Sequence, residues 1–161
     1  MNRLEKMIDE YSELNFIFTN KMNVMHGALI YDSDVYVNAN KSYEENVCDI
    51  SEEIGHYETS VGDLSVLDTI EKQQQEKRAR QYGYQYLVSL DELIACYKLG
   101  LTEYWEIAEF LEITPQYLWE SINYYKEAHG LIFDHKGCRF VFGIADSLKI
   151  YFSNKGDANE N

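Results

Sequence analysis

Apolar residues along this chain follow two rhythms, and the changes between them divide it into elements. Leu4, Met7, Ile8 and Tyr11 recur three to four apart, which predicts a short helix over residues 3–12. "NFIF" reads as a short strand. "GALIYDSDVYVNA" holds two β-prone runs around Asp32-Ser33-Asp34, a pattern that predicts a hairpin whose second strand is Val35–Asn38. Ser42 followed three residues later by Glu45 is a capping box, and Val47, Ile50, Ile54 and Tyr57 continue at helical spacing. An amphipathic helix is therefore expected over residues 42–58. "TSVGDLSVLD" reads as a loop, and a second long helix is expected over 68–88.

A further capping box, Ser89 to Glu92, introduces "DELIACYKLG", with Gly100 as its C-cap. "TEYWEIAEFLEI" and "PQYLWESINYYKEAHG" follow as helices, the second with Thr114 at the N-cap and Pro115 at the first helical position. "LIFDHKGCRFVFG" alternates about His135-Lys136-Gly137 like a hairpin. The tail "NKGDANEN" is expected to be disordered. Helix, strands, helix and then a helical cluster predict an α+β fold. There are no internal repeats and no long linker. The expected division is a core over 1–90, a helical region with a hairpin over 91–152, and a tail over 153–161.

Charge narrows the function classes. Among 161 residues, 28 acidic side chains stand against 14 basic ones, for a formal net charge of −14. Such a surface repels a phosphate backbone, so no direct nucleic-acid binding is expected. The segment "EIAEFLEITPQYLWESI" has a helix-turn-helix rhythm, yet from Leu99 to Tyr125 there is no Lys or Arg to meet bases or phosphates. Packing of the helical region is the better account of Ile107, Ala108, Ile113, Leu118 and Ile122. The aromatic residues Tyr104, Trp105, Tyr117, Trp119, Tyr124 and Tyr125 are expected mainly in the core. No apolar run approaches the ~18 residues of a membrane span, and no signal-peptide pattern is present. Cys48, Cys96 and Cys138 lie far apart with no C-x-x-C pair, which argues against a disulfide framework or a thiolate zinc site. A soluble, cytoplasmic protein with no membrane contact is expected; nothing indicates its oligomeric state.

The candidate chemistry lies in "DISEEIGHYETS". It differs at one position from H-E-x-x-H, because Glu52 stands where the first histidine belongs. Residues four apart share a helix face, so Glu52 and His56 could grip one cation, with Glu53 in the general-base position. A third ligand must come from another element. Glu76 is the candidate: its helix face carries Ala79 and Gly83, small enough for close approach to a helix that itself carries Gly55. Spacing alone leaves a second reading open, in which Glu52, Glu53 and His56 form the solvated face of an acidic helix.

At these residues the chain resembles the ImmA/IrrE family of metallopeptidases. "VYVNANKSYEENVCDISEEIGHYETSVGDLS" resembles the segment in which a strand leads into the zinc-motif helix. "EKRARQYGYQYLV" resembles the family's E-x-x-A-x-x-[FYW]-[AG] helix. "EIAEFLEITPQYLWESINYYKEAHG" resembles its C-terminal helical region, especially in members carried by phages and mobile elements. The likeness spans roughly residues 30–130. It implies a zincin-like core, a small antiparallel sheet plus the metal-motif helix, with a helical cluster and terminal β-hairpin. It implies zinc, with another divalent ion as an alternative, held by His56, Glu76 and, in the first-histidine position, Glu52. Glu53 becomes the general base. By likeness to zincins the substrate strand would pair with a sheet edge at Val35, Tyr36, Val37 and Asn38, and Tyr57, Tyr82 or His26 would assist the oxyanion. The implied substrate is a transcriptional repressor. Glu52 is the departure from the family pattern, and it leaves a catalytically silent, repressor-binding relative as the alternative.

Overall fold

The computed structural model of the protein describes residues 1–23, 25–60 and 68–153. Most of the expected 59–68 loop, and all but the first residue of the expected tail, lie outside the described residues. Helix α1 spans Arg3–Glu10 and is followed by strands β1 (Asn15–Thr19), β2 (Ala28–Tyr31) and β3 (Asp34–Asn38). Helices α2 (Tyr43–Thr59), α3 (Thr69–Leu87), α4 (Leu90–Lys98), α5 (Tyr104–Leu111) and α6 (Pro115–His129) come next. Strands β4 (Ile132–His135), β5 (Cys138–Phe142) and β6 (Leu148–Phe152) close the chain. The fold is α+β.

Local chemistry starts the helices. Asn2, Ser42, Asp68 and Ser89 each accept from the backbone N–H three residues on, while Glu5, Glu45, Glu71 and Glu92 reach back to the cap's own N–H. On α5, Glu106 bonds the N–H of Glu103. Thr114 caps α6 by accepting from Tyr117 N–H, with Pro115 just inside. The 112–114 turn before it begins with Glu112 in the left-handed region.

The first sheet has the order β1-β3-β2. β3 runs antiparallel to β2 and parallel to β1, so the expected antiparallel sheet is corrected to a mixed one. Two chain reversals bring β3 back to the direction of β1, and β3 then inserts between β1 and β2. Val35 and Val37 are wholly buried, as are Val47, Ile50 and Ile54 along one face of α2. These five side chains belong to one core cluster, which also takes in Leu118 and Ile122 of α6 and Phe140 of β5.

The expected terminal hairpin is present as β4–β5, and β6 extends it into a three-stranded antiparallel meander. Lys136 and Gly137 both take positive φ, as a two-residue turn between twisted strands requires. Tyr104, Tyr117, Tyr124 and Tyr125 pack on or in the core, as expected, but Trp105 and Trp119 are exposed. All three cysteines are buried and free.

Candidate metal centre

Helices α2 and α3 make the site, and their closeness has a local cause. Gln75, Ala79, Gly83 and Leu87 recur every four residues as the buried stripe of α3. A Cβ added to Gly55 of α2 would lie 2.1 Å from the carbonyl oxygen of Ala79. Glycine at 55 therefore permits a backbone approach that no other residue allows. Glu76 lies one turn before Ala79, and this crossing carries it to the flank of α2 that bears Glu52 and His56.

His56 Nε2 stands 3.4 Å from Glu76 Oε2, and one donor atom from each of Glu52, His56 and Glu76 lies within 4.8 Å of the others. Two donors each about 2.1 Å from a tetrahedral ion stand roughly 3.4 Å apart, so the His56–Glu76 pair already has ligand spacing. His56 Nδ1 is buried and has no hydrogen-bond partner among the described residues. Its other nitrogen, Nε2, is the one that meets the Glu76 carboxylate. The residues fit a divalent ion. Two carboxylates with one imidazole make a harder donor set than two imidazoles with one carboxylate.

Glu53 sits beside this cluster with a different environment. Its Oε2 accepts the backbone N–H of Ile30 on β2 at 2.9 Å. Burial pushes its carboxyl up to about 7, against the lowering effect of the Ile30 N–H and with the help of Glu52, Glu76 and Asp49. A carboxyl poised near neutrality is suited to proton transfer at physiological pH.

A cleft of about 530 Å³ opens here, lined by His26, Ala28, Ile30, Asp49 and the residues of the cluster. Its sheet edge is β2. The expectation that Val35–Asn38 offers a free edge is corrected, because β3 is paired on both sides. Val35 and Val37 point into the core, and Tyr36 faces out from the sheet. Asn38 is buried, and its side-chain amide donates to the carbonyls of Asn23 and His26. It shapes the loop before β2. Gly27 O accepts from Asn38 N–H, so by antiparallel alternation Ala28 and Ile30 turn their backbone groups outward, as the Ile30–Glu53 bond confirms.

Of the three residues expected near the oxyanion, only His26 lines the cleft. Tyr57 packs edge-on against Tyr11, and the Tyr82 hydroxyl bonds that of Tyr11 at 2.7 Å, both on the α1 side. Three contributors are new relative to the sequence reading: the Ile30 amide, Asp49 and Arg80. Asp49 pairs with Lys41 at 3.1 Å, and burial raises its carboxyl above the ordinary range. Arg80 Nε lies 3.3 Å from Glu52 Oε1. The sequence signal for Arg80 was its position four residues after Glu76, on the same helix face.

The family model of the IrrE N-terminal-like domain, Peptidase M78, matches residues 15–120. The chain belongs to this family. The match covers the first sheet, α2, α3 and the start of α6, and so includes every residue of the cluster. Membership in Peptidase M78 supports the metallopeptidase class for this architecture. No curated protein sequence and no solved structure matches the chain. Among the described residues, no helix is long and apolar enough to cross a membrane.

Proposed function

We propose that the protein is a metal-dependent endopeptidase, with zinc as the ion, that cleaves a transcriptional repressor of a phage or mobile element in the cytoplasm. The convergence of Glu52, His56 and Glu76 beside the buried carboxyl of Glu53, which the Ile30 N–H holds, carries this reading. A divalent ion held by the first three would acidify a water and polarise the scissile carbonyl. Glu53 accepts the proton that water gives up and later delivers it to the departing amine. The Ile30 N–H fixes one oxygen of Glu53 and leaves the other to the reacting groups. β2 offers the backbone groups of Ala28 and the Ile30 carbonyl to an extended peptide, its Ile30 N–H being held by Glu53. His26, which lines the same cleft, would stabilise developing negative charge. The repressor as substrate rests on the family likeness and on the net charge of −14, which attracts a protein with a basic DNA-binding face.

The Glu52–Arg80 contact favours a second reading, in which the centre is silent and the protein regulates a repressor by binding alone. Incubation of the metal-loaded protein with the repressor encoded beside its gene separates the two. Cleavage by the native chain and none by Glu53→Gln, with binding retained, supports the enzyme. A purified protein with no stoichiometric divalent metal, and no difference between the two forms, supports the silent regulator.

A further inference from the structure

We propose that Arg80 is an internal competitor for the metal centre: its guanidinium occupies Glu52 and holds down the affinity of the site for a divalent ion. The inference rests on the reading of Glu52, His56 and Glu76 as ligands. Arg80 follows Glu76 by one turn of α3 and faces the same flank of α2. It is the only Lys or Arg among the described residues lining the cleft, against the carboxylates of Asp49, Glu52, Glu53 and Glu76. Asp49 already has Lys41. Arg80 itself is aimed at Glu52, with 58% of its side chain exposed against 32% for Glu52. A partly solvated pair of this kind is held weakly enough to open.

The chemistry gives the contact a direction. Two carboxylates and a neutral imidazole cancel both charges of a divalent ion, where two imidazoles and one carboxylate leave one positive charge. A guanidinium on Glu52 returns that charge to the centre. It does so in two ways that both oppose binding: it repels the incoming cation, and its hydrogen bond draws electron density from the ligating carboxylate. Arg80 and Glu52 thus act as one unit. The pair makes a centre with an extra carboxylate bind its ion as loosely as a centre with one fewer.

Zinc affinity, measured by competition with a chromophoric chelator, tests this in the full chain. Arg80→Gln should tighten zinc binding by about tenfold, equivalent to ~1.4 kcal/mol, and Arg80→Lys should stay near the native value. In a Glu52→His background, where the carboxylate is gone, Arg80→Gln should change affinity by much less. The gain from Arg80→Gln should also shrink as salt screens the exposed guanidinium. A native chain that takes no zinc, with an Arg80→Gln form that does, also supports the proposal. Unchanged or weaker binding by Arg80→Gln, when the native chain binds zinc, overturns this inference and leaves the metal centre standing. No zinc binding by either form overturns both.

Discussion

Glu53 shows how one side chain can be costly to the fold and useful to the site. Its carboxyl lies at about 7 in the folded chain against an ordinary 4.5, because burial disfavours the charged form. The folded metal-free protein therefore holds a proton that the unfolded chain releases between those values. That contribution is fully present below about pH 4.5 and is lost as pH rises through 7. Glu53→Gln removes the titration while keeping an oxygen for the Ile30 N–H. With chelator present, the variant should be more stable than the native chain by about 2–3 kcal/mol at pH 8 and equal to it near pH 4, as read from urea denaturation. A constant difference across that window would show that the carboxyl is not strained by burial. The same residue is the one whose loss should abolish cleavage, so stability and activity should move in opposite directions.

Elements rather than residues decide whether the centre exists, and α2 against α3 is the decisive pair. Gly55→Ala places a methyl 2.1 Å from the Ala79 carbonyl, and backbone cannot step aside as a side chain can. Gain in helix propensity is worth only about 1 kcal/mol. The substitution should cost about 3 kcal/mol net and weaken zinc binding, because Glu76 moves away with α3. Thermal melts and the chelator assay check the two effects separately.

This contact also shows what was legible in sequence. Helices announce themselves locally through caps such as Ser42–Glu45 and through the spacing of Val47, Ile50 and Ile54. Small residues at Gly55, Ala79 and Gly83 signalled close packing. Strand partnership is not local. The likeness to zincins points to Val35–Asn38 as the edge, and nothing in "NFIF" says that it pairs in parallel with β3 and so encloses it. The five residues of β6 gave no turn signal that the meander would continue. For Arg80 the spacing from Glu76 shows the helix face but not the partner, which lies on another helix.

At the scale of the whole molecule, the net charge of −14 acts on every element at once. Like charges repel more in the compact state than in the expanded one. The melting temperature should rise as salt goes from low values to about 0.3 M, where the screening length falls below ~8 Å. A melting temperature that is flat or falling with salt would mean that local pairs such as Arg3–Glu92 outweigh the general repulsion. Not all of this charge is free to change, however. Glu5, Glu45, Glu71, Glu92 and Glu106 each hold the backbone at the start of a helix. A lineage or an engineer seeking a less acidic surface can exchange these glutamates for glutamine, which still reaches the cap, but charge reversal to lysine there unfastens a helix. The acidity of this chain is in part a by-product of how its helices begin.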